Sequence, residues 1–342
     1  MNVNKNDYST IITIKLIENI KNEFCFEFFD INDFCDEEIY LYNKNNDKEV
    51  KNRSIKPNDN IKYIEIIIRR RHNSLAKLFS GYKYIKSVDI KNSVGNLNSM
   101  FSYYKSLKQV NFINFNFEKV YDMTYLFSCC GSLKKVSFNK DCDKNVNIKT
   151  SLVINSDVKF RVNKFELSYI NADYMFDECT QLNEVWLDNT YNIYNNISMN
   201  YMFNECTSLK KVNLENFNVF AIGMFCMFKN CSSLKELNIS TIITEIIFNM
   251  SHMFYECRSL NKIIHNFNTN NVVHLKYMFY ECENLEEIDL SNFNIPKRSK
   301  MRCMFSKCKL ESNYISTALE KRLAASNLSV DILTKKIKPT SH

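Results

Sequence analysis

The octapeptide MFYECRSL at Met253–Leu260 returns as MFYECENL at Met278–Leu285, and the frame Met-Phe-x-x-Cys-x-x-Leu recurs through most of the chain. Aligned on its aromatic residue, it falls at Phe79, Phe101, Phe127, Phe176, Phe203, Phe228, Phe254, Phe279 and Phe305. The intervals are 22, 26, 49, 27, 25, 26, 25 and 26 residues. A period in this range is the signature of a solenoid, where each unit buries its apolar face only by stacking on the next. The interval of 49 reads as two periods holding one decayed unit, which keeps Phe160-Arg161-Val162 and Phe165.

Three residues after the aromatic comes Cys, at Cys130, Cys179, Cys206, Cys231, Cys257, Cys282 and Cys308, and six after it comes Leu or Ile. Spacing of i, i+3, i+6 predicts a helical turn on one wall of the stack. Triplets such as Val110-Asn111-Phe112, Val212-Asn213-Leu214 and Ile288-Asp289-Leu290 predict short strands on the opposite wall, with alternate side chains turned inward. The fold expected is an α/β repeat solenoid, a curved leucine-rich-repeat-like stack of about nine units over residues 73–310. Before it, alternating runs at Thr10–Ile17, Phe24–Phe29, Glu38–Tyr42 and Ile61–Ile68 predict a small β-rich N-terminal domain at 1–72. A ubiquitin-like grasp would fit there, and its least role is to cover the edge of the first repeat. After the stack, the capping-box pattern Thr317-x-x-Glu320 predicts a helix, and a second short one follows from Ser329, so that 311–342 form a helical cap and tail.

Read from Met278 to Asn294, the pattern M-F-x-x-C-x-x-L-x-x-I-D-L-S-N-F-N resembles the BspA-like leucine-rich repeats. It is most similar to the repeat of roughly 26 residues in mycoplasma lipoproteins and large protist families. The resemblance runs over residues 74–308. It implies a curved repeat protein used for binding, often at cell surfaces, so a surface or secreted adhesin stands as one alternative.

Few features suggest chemistry. The chain has 4 glycines, and Gly81, Gly95, Gly131 and Gly223 stand alone, so neither a dinucleotide fingerprint nor a P-loop can be written. No cofactor is expected. Of 13 cysteines none forms a C-x-x-C pair, and His72, His252, His265, His274 and His342 do not fall at zinc-site spacing. Cysteines repeated at one position read as a column of small buried hydrophobes. A cysteine-dependent enzyme is the remote alternative, with Cys226 and Cys303 noted two residues before Phe228 and Phe305. The N-terminal stretch has no signal-peptide pattern and no lipid-attachment cysteine, and no run of 18 apolar residues occurs. Together with so many thiols, this favours a reducing compartment, and the expected localisation is cytoplasmic.

The strand wall is the natural functional face. Just before each triplet stand Ser87, Gln109, Lys135, Lys159, Glu184, Lys211, Glu236, Lys262 and Glu287, alternating in sign from Lys159 onward. Neighbouring strands would neutralise one another, whereas nucleic acid needs a field of one sign. The central position reads Asp89, Asn111, Ser137, Arg161, Trp186, Asn213, Asn238, Ile264 and Asp289. Trp186 is the only Trp, and the alignment turns it outward between Arg161 and Asn213. Either it anchors a partner, as Trp and Arg do at hot spots, or it caps the irregularity of the decayed unit. The candidate partner-binding residues are Trp186, Arg161, Asn213, Asn238, Glu184 and Lys211. Basic clusters at Arg69–Arg71, Lys297–Arg302 and Lys335–Lys336 read as solvated surface. The function expected is a non-enzymatic scaffold that binds a protein partner.

Overall fold

A single column of phenylalanine rings runs through the molecule. In the computed structural model, consecutive rings from Phe79 to Phe305 lie 5.2–5.7 Å apart and within 17° of parallel. The structure describes residues 10–16, 24–25, 39–43, 48–49, 54–55, 61–68, 75–79, 84–91, 95–113, 120–139, 169–187, 196–214, 217–294, 296, 299–310 and 319. The protein is a repeat solenoid, and this column is its axis of packing. Each ring is buried, preceded in sequence by Met or Leu and, from Phe127 onward, followed by the Cys column.

The interval of 49 residues is a single step of the stack. Phe127 and Phe176 are in direct ring contact at 5.3 Å, and the strand Lys135–Asn139 pairs directly with Glu184–Trp186. The expected unit therefore adds no ring to the column between Phe127 and Phe176 and no strand between Lys135–Asn139 and Glu184–Trp186. Residues 159–162, the expected strand of the decayed unit, lie outside the described residues, Arg161 among them.

One wall of the solenoid is the expected strand wall. Ile85–Lys91, Gln109–Ile113, Lys135–Asn139, Glu184–Trp186 and Lys211–Asn213 form parallel neighbours. Val88, Val110, Val136, Val185 and Val212 fall in one register and are buried, as period-two alternation requires. Glu236–Asn238 and Lys262–Ile264 pair in the same parallel sense further along. At the other end Thr10–Leu16 lies antiparallel between Ile85–Lys91 and Tyr63–Ile68, with Ile39–Asn43 beyond. Thr10–Leu16 thus occupies the edge that the first rung would otherwise expose.

A second strand wall was not expected. Gly95–Asn96, Val120–Asp122, Tyr169–Asn171, Asn196–Ser198, Val219–Gly223 and Ile242–Ile243 make a parallel sheet of their own. Bridges from Asn249 to His274 and on to Lys300 continue it. Runs of two or three residues leave too few alternations for a strand to be read from sequence.

The Met-Phe-x-x-Cys segment forms turns, not helix. Among the described residues only Leu319 is helical, so the α/β expectation is not met and the helical cap lies outside them. Around Phe203 three i+3 bonds follow one another: Met202 N–H to the Met199 carbonyl, Asn204 to Tyr201, and Cys206 to Phe203. Between them, residues two before and two after the Phe take positive φ, as Tyr201 (57°) and Glu205 (59°) do, and the same pair recurs around every Phe from 101 to 305. This swings alternate N–H groups along the stack. Phe203 N–H donates to the Met227 carbonyl at 2.8 Å, Tyr201 to Phe225 at 2.8 Å, and Glu205 to Lys229 at 2.8 Å. A helix would spend those donors within one rung. The i, i+3, i+6 spacing serves both geometries, and stacking selects the one that bonds between rungs.

Candidate functional site

On the strand wall Trp186 is 37% exposed and stands in register with Ser137 on one side and Asn213 on the other. Ser137, not Arg161, is its neighbour, because the strands carrying Ser137 and Trp186 are adjacent. Glu184 lies opposite Lys211, and Glu236 opposite Lys262, so the alternating column is in register where it is described. The Lys211 ammonium lies 4.8 Å from the centre of the Trp186 ring, a cation–π contact on the face of the indole. Asn238 has a local role: its Oδ1 accepts from Ser240 N–H at 3.1 Å and Ser240 Oγ at 2.8 Å, closing an Asx turn. Upstream the central column satisfies itself, Ser137 Oγ donating to Asn111 Oδ1 and Asn111 Nδ2 to Asp89 Oδ1, each at 2.7 Å. Trp186 is thus the point where a hydrogen-bonded column gives way to an exposed ring under a cation.

A second site lies on the turn wall and was missed in sequence. From Phe127 to Phe279 the left-handed position two before the Phe forms a ring column, broken once: Tyr125 on Tyr174 at 4.8 Å, Tyr174 on Tyr201 at 4.6 Å, and His252 on Tyr277 at 5.0 Å. Between Tyr201 and His252 that position is Cys226, too small to continue the stack. Phe225 leans in from the preceding residue and meets both rings at right angles, at 5.1 and 5.8 Å. The result is a groove of about 630 Å³ lined by Tyr201, Phe225, Cys226, His252, Tyr255 and Tyr277. A smaller hollow of about 360 Å³ adjoins it, bounded by Asp173, Asn200 and the exposed ring of Phe248.

Carboxylates border this groove from the left-handed position two after Phe203 and Phe254, where Glu205 and Glu256 stand, with Asn230 between them. Glu205 accepts from Lys229 Nζ at 3.4 Å and Asn230 Nδ2 at 2.5 Å. Arg258 reaches Glu256 at 2.8 Å, Glu281 at 2.6 Å and Glu283 at 3.4 Å. Burial holds the Asp177 carboxyl above its ordinary range, opposed by a hydrogen bond from Asn204 and reinforced by the charges of Glu178 and Glu205. Burial, with the charges of Lys229 and Lys276, keeps His252 below the ordinary histidine range, and its Nδ1 is buried without a hydrogen-bond partner. Burial also raises the Tyr201 and Tyr255 hydroxyls to about 12. It pushes the Cys226 thiol up to about 11, against the pull of Lys229 and the Tyr201 hydroxyl. The sequence did show Cys226 and Cys303 at this position. Aligning their companions Tyr174, Tyr201, His252 and Tyr277 would have exposed the column.

The repeated cysteines are structural. Each thiol donates to the carbonyl of the Phe one rung earlier: Cys130 to Phe101 at 2.9 Å, Cys206 to Phe176 at 3.0 Å, Cys257 to Phe228 at 2.9 Å. Burial raises Cys130 and Cys257 to about 12. Sealed thiols of this kind are inert, so their number no longer argues for a reducing compartment. Among the described residues no cluster of His, Cys, Asp and Glu is placed to hold a metal ion, and no helix is long and apolar enough to cross a membrane.

A family model described as Mycoplasma protein of unknown function, DUF285, matches residues 73–161, 147–240 and 222–322. No curated protein matches the chain. Among solved structures it is similar to a leucine-rich cell surface protein from Faecalibacterium prausnitzii A2-165, with 15% identity and a TM-score of 0.32. That match covers 68% of this chain and 45% of the other, so the chain spans under half the length of that protein.

Proposed function

The chain belongs to the DUF285 family, whose model spans the whole repeat, and from that premise we propose that it is a non-enzymatic module binding a protein partner on its strand wall. The observation that carries this is the exposed Trp186 ring with the Lys211 ammonium over it, next to upstream central residues Asp89, Asn111 and Ser137 that are hydrogen-bonded to one another. Rigid aromatic surface beside a cation supplies large contact area at low entropic cost, the make-up of an interface anchor. In this reading residues 73–310 would supply the binding wall, with Thr10–Leu16 of the 1–72 domain along its first edge, while the cap and tail proposed at 311–342 lie outside the described residues apart from Leu319. Glu184, Asn213 and, further along, Asn238 would form the polar rim, while Arg161 lies outside the described residues. The test is cross-linked capture in native cells with wild type and with Trp186→Ala. A partner held by the wild type and lost by the folded variant supports the strand wall; equal capture by both removes it.

A surface adhesin differs from this only in where the partner is met. Because the thiol column is sealed, nothing in its chemistry favours the cytoplasm over an oxidising exterior. Protease treatment of intact cells decides: cleavage places the module outside, and an untouched chain in cells whose surface proteins are shaved places it within. A cysteine-dependent enzyme has the least support, since the column thiols are buried and raised.

A further inference from the structure

In a continuous ring column each face is covered by the rings above and below. Tyr201 is stacked on Tyr174 and His252 on Tyr277, but at Cys226 the stack is broken. Phe225 meets both rings at 87° and 88°, so on this side neither carries a parallel neighbour. This is the one rung from Phe127 to Phe279 where the position two before the Phe lacks a ring, and the residue before it is aromatic in compensation. The break and the groove coincide.

The charge around it runs against that of the whole molecule. Asp173 and Glu205 line the two hollows with Glu256, and Asp177 and Glu178 lie one rung away. Of the cations in reach, Lys229 is engaged by Glu205, and Arg258 is answered by Glu256, Glu281 and Glu283. Lys276 bears on His252 from the next rung. Carboxylates outnumber cations here although the chain carries a formal net charge of +7. An aromatic-lined, locally acidic groove on a basic protein selects for a cationic occupant. A guanidinium suits it better than an ammonium, because it is planar, stacks on rings, forks to carboxylates and is more weakly hydrated. The hollow continues past Ile222 to the exposed ring of Phe248. Such an apolar margin suits the chain on either side of an arginine, not a lone ion.

We propose that this groove docks an arginine-bearing segment of a protein partner, with the guanidinium seated against Tyr201 and His252 and held by Glu205 and Glu256. It is a site separate from Trp186 and does not depend on the strand wall being used. The experiment is fluorescence anisotropy of a labelled, end-blocked hexa-arginine peptide with the full chain at about 150 mM salt, where long-range attraction is screened. Saturable binding is expected, weakened roughly tenfold by Glu256→Gln and by Tyr201→Ala, the scale of one charge-assisted contact. Glu236→Gln on the strand wall should leave it unchanged, and a hexa-lysine peptide should bind several-fold more weakly, by the same stacking argument. Glu256→Gln removes one charge from Arg258, which keeps Glu281 and Glu283, and leaves the bonds of Glu205 to Lys229 and Asn230; urea midpoints verify that the variant is folded. Trp186 emission separates the two sites: it stays constant if the peptide occupies the groove. Absence of saturation, equal affinity for the two peptides, equal loss in Glu236→Gln, or a peptide-dependent change in Trp186 emission would each overturn the assignment.

Discussion

The thiol of Cys206 donates to the carbonyl oxygen of Phe176 at 3.0 Å, tying one rung to the rung before it at full burial. That carbonyl also accepts the Cys179 N–H of its own turn. Cys therefore fills a small apolar site and supplies one polar link. Cys206→Ala removes the link and leaves a cavity, and should cost roughly 1–2 kcal/mol. Cys206→Ser keeps a donor but places a shorter, more polar group in a sulfur-sized site, and should cost at least as much. Urea unfolding of the two variants against wild type measures both.

The same column sets a pH dependence. Cys130 and Cys257 stand at about 12 in the fold against an ordinary 9, because burial penalises the thiolate. A group whose pKa is raised by folding contributes its stability in full below the unfolded value and loses it as pH climbs through the folded value. Stability should therefore be flat up to about pH 9 and fall between about pH 9 and 12. Urea midpoints at stepped alkaline pH check the direction. Alkylation of the native protein at neutral pH should modify the half-buried Cys129 well before the buried column thiols from Cys130 to Cys282, and mass spectrometry of the labelled peptides reads the order.

How much of this was legible depends on the residue. The Phe column, the Cys column and the strand register all follow from a period that sequence carries openly. Two structural choices do not. The i, i+3, i+6 pattern of Phe254, Cys257 and Leu260 suits a helical turn and a left-handed turn ladder alike. Only the competition between bonds within a rung and bonds between rungs separates them, and a single unit does not contain that competition. Nor does spacing alone tell whether an interval of 49 residues is one step of the ring column or two, and the 5.3 Å contact of Phe127 with Phe176 makes it one. The turn-wall groove was hidden for a different cause. It arises where one rung departs from the pattern, at Phe225 and Cys226, and departures look like noise until their neighbours are known to be stacked.

Gly223 marks a close approach. A Cβ there would stand 2.6 Å from Asn200 Nδ2 and 2.7 Å from Oδ1. Asn200 cannot easily yield, because its backbone N–H donates to Asp173 Oδ1 at 2.8 Å, its Nδ2 to Ser198 Oγ at 3.0 Å, and its Oδ1 accepts from Phe225 N–H at 3.0 Å. Gly223→Ala should cost about 1–3 kcal/mol, the scale of breaking one or two of these bonds in a part-buried network. Thermal melts measure the loss. Because Phe225 hangs from the Asn200 contact, the variant should also weaken hexa-arginine binding; unchanged affinity in a destabilised but folded variant would show the groove to be independent of this support.

Left-handed backbone without glycine is the unusual cost of the turn ladder, and Tyr103 allows it to be measured. Its φ is 60° and its side chain is 67% exposed, so little packing is lost on truncation. A left-handed conformation costs an L-residue roughly 1–2 kcal/mol, while glycine gives back about 0.5–1 kcal/mol through the freedom of the unfolded chain. Tyr103→Gly should therefore stabilise the protein by up to about 1 kcal/mol. Tyr103→Val should destabilise it, because a β-branched side chain tolerates positive φ least. Urea midpoints of the two variants should move in opposite directions. If both fall, the ring of Tyr103 contributes more than its exposure indicates, and the strain of the ladder is smaller than its backbone angles imply.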